Sequence, residues 1–142
     1  MRECGSCSLC CKLPGVYTLP DQQPTISKPI NTWCEHCDKG NGCRIYETRP
    51  SPCINFDCLW LVHPEMGEAL RPDRSHVIMY GLSEEDKANF NCDVIVMEDP
   101  AYFGFKESSK NETIAAHVRT MMASGLRVTI INGEQGHAIS SR

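Results

Sequence analysis

Apolar and polar positions fall into recognisable periods only in the second half of the chain. Residues 76–82 and 93–98 are runs rich in β-branched side chains, bounded by turn-forming or charged residues, and they predict strands. Ser109-Lys110-Asn111-Glu112 reads as a capping box. Behind it Ile114, Ala115, Val118, Met121 and Met122 share one face of a helix that Gly125 ends. Residues 126–131 predict a further strand closing at Asn132-Gly133, and residues 64–70 a short helix. The sum is a small β-β-α-β body, followed by a polar stretch, 134–142, expected to fray.

The first half has no such rhythm. Residues 1–13 are too short and too dense in cysteine for a helix held by hydrophobic packing alone. Pro14, Gly15, Pro20, Pro24 and Pro29 make the next twenty residues mostly extended or turning, with a short strand expected at 16–19. Residues 34–43 read as a tight loop turning at Gly40-Asn41-Gly42. Residues 44–47 begin a helical turn that Arg49-Pro50-Ser51-Pro52 is expected to stop. Residues 58–62 are apolar and expected to pack this segment onto the second half of the chain. The composition changes near residues 61–64. We therefore read an α+β chain in which a cysteine-rich, metal-stabilised irregular module (1–62) packs on a small α+β body (63–142).

Composition sharpens that division. Of the ten cysteines in 142 residues, nine lie within residues 1–62, where aliphatic side chains are few. A segment so short of apolar material needs another source of folding free energy, and bound metal supplies one. The net charge is −4, and residues 63–142, with eight basic and twelve acidic side chains, account for all of it. No basic stripe is visible, which argues against a nucleic-acid partner. No stretch approaches the roughly 20 apolar residues that span a bilayer, and the N-terminus lacks the apolar core of a secretory signal. The expected location is cytoplasmic. There thiols stay reduced, and dense cysteines serve as ligands rather than disulfides.

The ligand candidates are Cys4, Cys7, Cys10, Cys11, Cys34, Cys37, Cys43, Cys53 and Cys58. A two-residue gap, as in Cys4-Gly5-Ser6-Cys7 and Cys34-Glu35-His36-Cys37, lets two thiolates converge on one ion around a tight turn. Zinc is the preferred occupant, with a structural role in a non-enzymatic binding module that leaves the second half free for a protein partner. An iron–sulfur cluster with a redox or enzyme-supporting role is the alternative, because Cys4-x2-Cys7-x2-Cys10 has the three-cysteine spacing of bacterial ferredoxins. Metal sensing or delivery is a third reading, permitted by a ninth, uncommitted thiol. His36 is a possible substitute ligand, and Tyr46 and Arg49 are candidates to support metal-bound sulfur. Cys92 reads as a small buried apolar residue, and Glu84-Glu85-Asp86 as a solvated loop or helix start. No acid–base pair, phosphate loop or nucleophile elbow is recognisable.

Cys4-x2-Cys7-x2-Cys10-Cys11, the string Cys43-Arg44-Ile45-Tyr46-Glu47-Thr48-Arg49-Pro50, and then Cys53 and Cys58 resemble the bacterial YkgJ-type cysteine-cluster proteins. The resemblance covers about residues 4–60. It implies a zinc- or iron-chelating domain with a CxxCxxCC motif. An iron–sulfur cluster is associated with a related region in a flagellin lysine methylase. The family pattern centres on eight cysteines, and Cys34 and Cys37 both lie where it has one, which makes one of them spare.

Overall fold

Period-two alternation gives the strands of the second half two apolar faces, and those faces decide how the chain is layered. The computed structural model describes residues 4–139. In the first half, two short ladders, β1 (Val16–Tyr17) with β2 (Ser27–Lys28) and β3 (Cys37–Asp38) with β4 (Gly42–Cys43), are both antiparallel. A 3-10 turn at Leu9–Cys11 precedes them, and a 3-10 turn at Tyr46–Thr48 and one-turn helices α1 (Ser51–Ile54) and α2 (Leu59–Val62) follow. A 3-10 turn at Glu68–Leu70 and helix α3 (Pro72–Ser75) lead into β5 (Val77–Gly81), α4 (Glu84–Phe90) and β6 (Val94–Glu98). A 3-10 turn at Glu107–Lys110, helix α5 (Glu112–Ala123), β7 (Val128–Asn132) and β8 (Gln135–Ile139) complete the described chain.

The four long strands form one sheet in the order β5-β6-β7-β8. β6 runs antiparallel to β5 and parallel to β7, with α5 in the crossover, and β8 folds back antiparallel on β7. Val77, Met79, Val94, Val96, Val128 and Ile130 project to one face, where they pack with Ile114, Val118 and Met121 of α5 and with Trp60, Met66 and Leu70. Ile78, Ile95 and Met97 project to the opposite face and bury Leu9 and Leu13 of the cysteine-rich half, with Cys92. The cysteine-rich half therefore does contribute apolar anchors, few in number but fully used. Its N-terminal part covers one face of the sheet through Leu9 and Leu13, and its α2 segment reaches the other through Trp60.

Polar ties reinforce the layers. Lys12 is paired with Asp99 just beyond β6, with the carboxylate almost wholly buried. Arg71 donates to the carbonyl oxygen of Cys4 (3.2 Å) and to Ser6 Oγ (3.1 Å), clamping the first cysteine turn to the body. The carboxylate of Glu98, fully buried, accepts from the amides of Lys106 (2.9 Å) and Ser108 (2.8 Å) and from Asn132 Nδ2 (3.2 Å). It thereby fixes the loop that leads into α5.

The mixed α+β body is present, and it adds helices α3 and α4 and strand β8 to the β-β-α-β reading. Ser83 caps α4 by accepting from the Asp86 amide, so the acidic run is the first turn of a helix, where carboxylates suit the dipole. The stretch expected to fray is β8 as far as Ile139, held by backbone pairing to β7 across a two-residue turn at Gly133-Glu134. Residues 140–142 lie outside the described residues. Pro50 and Pro52 start a helix, α1, rather than only stopping one, because proline suits the first helical turn. The cap of α5 is Asn111, which accepts from the Ile114 amide; Ser109 belongs to the preceding 3-10 turn, so the box is displaced by two residues. The helix expected over 64–70 is reduced to the 3-10 turn at Glu68–Leu70.

Leu13 is 1% exposed between module and sheet. Truncating it to alanine should lower unfolding free energy by about 2–5 kcal/mol in urea titration. A loss below about 1 kcal/mol would mean that the module does not depend on this packing.

Candidate metal centre

Local structure brings the cysteines together one turn at a time. The Cys7 amide bonds the Cys4 carbonyl (3.0 Å), with Gly5 in the left-handed region at φ 58°, and this closes the first CxxC turn. Cys10 and Cys11 share a 3-10 turn whose neighbour Leu9 is anchored in the core. The Cys34 amide bonds the Cys11 carbonyl (2.8 Å), and the Cys37 amide bonds the Cys34 carbonyl (3.1 Å). Cys37 and Cys43 face each other on the β3–β4 hairpin. At Gly42, with φ 113°, a side chain would meet the Gly5 carbonyl oxygen at 3.1 Å, so a glycine lets these two loops touch. Cys53 lies within α1, and Cys58 is the residue before α2.

Among the described residues all ten cysteines are free thiols. Cys4, Cys7, Cys10, Cys11, Cys34, Cys43, Cys53 and Cys58 line one cavity of about 470 Å³. Cys37 does not. It is buried beside the cavity, hydrogen-bonded to the Cys11 thiol and the Ser8 hydroxyl. The rest of the wall is apolar or proline-rich, including Pro14, Val16, Ile26, Pro50, Pro52 and Phe56. Its charged members are Lys28 and Arg49, and no Asp or Glu among the described residues joins them. No group of three or more His, Cys, Asp or Glu among the described residues is arranged to hold a metal ion as it stands.

Burial dominates the electrostatics. It pushes the Cys4 thiol up to about 11, helped by the neighbouring Cys10, Cys58 and Cys7 and opposed by Arg49. Cys58 is likewise pushed up to about 11 by burial, opposed by backbone hydrogen bonds from Leu61 and Trp60 at the start of α2. Burial raises Cys7 against backbone hydrogen bonds from Leu9 and Asp73, and raises Cys53 together with Cys34, Cys43 and Cys10. The hydrogen bond between Cys10 and Cys11 pulls Cys10 down and Cys11 up, so a proton between them belongs to Cys11. Cys10 is the hub of the constellation: its charge acts on Cys4, Cys7, Cys11, Cys37, Cys53 and Cys58. The His36 amide lies 3.4 Å from Cys34 Sγ, a further N–H aimed at sulfur.

The remaining candidates fall elsewhere. His36 is absent from the cavity wall, and its Nε2 lies 3.6 Å from Glu35. Arg49 does line the cavity, but it donates to the Tyr46 carbonyl (2.9 Å) and packs over the Tyr46 ring. Cys92 is buried against the sheet, its thiol donating to the Val94 carbonyl (3.1 Å). His63 pairs with the exposed Glu65 (3.1 Å), and His76 stacks on Tyr102. Lys28 belongs to no motif, and the sequence pattern alone does not single it out. The signal available is alternation: Ile26 and Lys28, two apart on an extended segment, both face the cavity.

Comparison with protein-family models, with curated proteins and with solved structures found no match. No helix among the described residues is long and apolar enough to cross a membrane.

The placement of the two CxxC thiols separates their roles. If the cavity cysteines hold a metal, Cys34→Ser should reduce the metal content of the purified protein and Cys37→Ser should leave it unchanged, as read by elemental analysis. Because burial pushes Cys4 and Cys58 up to about 11, an ion bound by them near neutral pH would have to displace their protons. Apparent affinity for Zn²⁺ should therefore rise with pH, about tenfold per unit for each proton displaced. Competition against a chromophoric chelator measures this, and a flat profile between about pH 6.5 and 8.5 contradicts it.

Proposed function

We propose that this chain is a metal-binding protein whose cavity-lining cysteines hold a thiolate-bound centre, an iron–sulfur cluster in preference to a lone zinc ion. The cavity carries the reading. Eight thiols line one cavity of about 470 Å³, space for a centre of several atoms. Thiolates suit soft or borderline centres, iron–sulfur and zinc among them. A cluster held by four thiolates is net anionic, and Lys28 and Arg49 are the charged residues facing that space. Cys4, Cys7, Cys10, Cys11, Cys34, Cys43, Cys53 and Cys58 are the residues that would hold it. The proline and apolar wall would keep water from the sulfurs. A cluster bound there supplies one-electron redox capacity. The resemblance of residues 4–60 to the cysteine-cluster family implies zinc or iron chelation and is in keeping with metal binding without choosing between the two.

One observation favours structural zinc as a second reading. The Cys7 amide closes the Cys4–Cys7 turn, a two-residue gap of the kind tetrahedral zinc sites use, and four of the eight cavity thiols suffice for one such site.

Protein purified without air should be brown and contain iron and acid-labile sulfide in roughly equal amounts. A colourless anaerobic preparation carrying stoichiometric zinc would overturn the iron–sulfur reading.

A further inference from the structure

Lys28 is 5% exposed, an unusual environment for an ammonium group. It sits on β2 opposite Val16, and both residues face the thiol-lined cavity. Its Nζ donates to the carbonyl oxygens of Lys12 (3.2 Å), Pro29 (3.4 Å) and Pro14. These three acceptors match the three N–H donors of an ammonium. They satisfy its hydrogen bonds and hold it in place, but dipoles do not cancel a buried charge. Among the described residues no carboxylate pairs with Lys28, and none lines the cavity. The groups that would act on it as anions, once deprotonated, are the cavity cysteines Cys34, Cys11, Cys53 and Cys10. Arg49, the other cation in the wall, is half-exposed and tethered to Tyr46, so water screens it more.

A pinned, desolvated cation with no protein carboxylate beside it implies an anion in the space it faces. We propose that Lys28 is the built-in counter-charge of the metal centre, a positioning residue that stabilises the centre's more negative state and raises its reduction potential. This rests on reading the cavity as a thiolate-bound centre. One electron from an external low-potential donor makes that centre more negative by one charge, with no proton required, and the fixed ammonium favours the change. The same charge favours retention of any anionic thiolate complex, zinc included.

The test uses the full chain with Lys28→Met, Lys28→Gln and Lys28→Arg, purified anaerobically. Iron and sulfide content come first. A dye-mediated redox titration followed by electron paramagnetic resonance then gives the midpoint potential. At equal iron content, the neutral variants should show at least a tenfold lower ratio of reduced to oxidised centre at a fixed potential. That is a shift of about 59 mV to more negative values for one electron. Lys28→Arg should stay near the wild type. A parallel arm loads each protein with Zn²⁺ alone and titrates with a competing chelator; the neutral variants should release zinc at least tenfold more readily. If the wild type carries zinc and no iron, the iron–sulfur reading fails, and the chelator arm still decides the role of Lys28. Unchanged potential and unchanged zinc retention in whichever neutral variant folds overturn the proposal, as does Lys28→Arg behaving like Lys28→Met.

Discussion

Strand β6 is buried along its whole length and on both faces, and the molecule is organised around covering it. An antiparallel sheet can leave one face in water, but a strand reading Val-Ile-Val-Met-Glu cannot. Helix α5 with Trp60, Met66 and Leu70 covers one side. The cysteine-rich layer covers the other through Leu9 and Leu13, the residues that flank Cys10 and Cys11. The central pair of thiols is thus carried on a short segment whose position the hydrophobic effect determines. Burial of those two leucines stabilises the fold by an amount of the order of 2–3 kcal/mol each.

That arrangement explains the electrostatic character of the cavity. Seating the cysteines against a covered sheet removes them from water, and the loss of solvent raises most of their proton affinities. Backbone amides aimed at Cys7 and Cys58 work in the opposite direction, as do Arg49 and Lys28 at Cys10. Burial therefore keeps Cys4 and Cys58 protonated, while Cys10, pulled down by its hydrogen bond from Cys11, is the exception. A cation bound by the first two would have to displace their protons.

Much of the body was legible in the residues themselves. The two β-branched runs and the five-residue apolar face of α5 have periods that no other element produces, and they emerge as β5, β6 and α5. Helix α4 was less visible because its inward face is weak, with Phe90 exposed; its signal was local, Ser83 followed by three acids. Strand β8 has no apolar rhythm, and its existence depends on the backbone groups of β7. In the cysteine-rich half, spacing names the thiols but not their grouping. The distinction between Cys34 and Cys37 is made by the hairpin that turns Cys37 toward Ser8. Lys28 lay hidden because lysine is ordinarily a surface residue, although its place two positions from Ile26 marks it as inward.

Cys58 packs against both apolar clusters and is followed at once by the single turn of α2, which carries Trp60 and Leu61 into the core. A cavity thiol and a buried indole are therefore two residues apart on one stiff segment. The segment makes tryptophan emission a natural optical reporter of what the cavity contains.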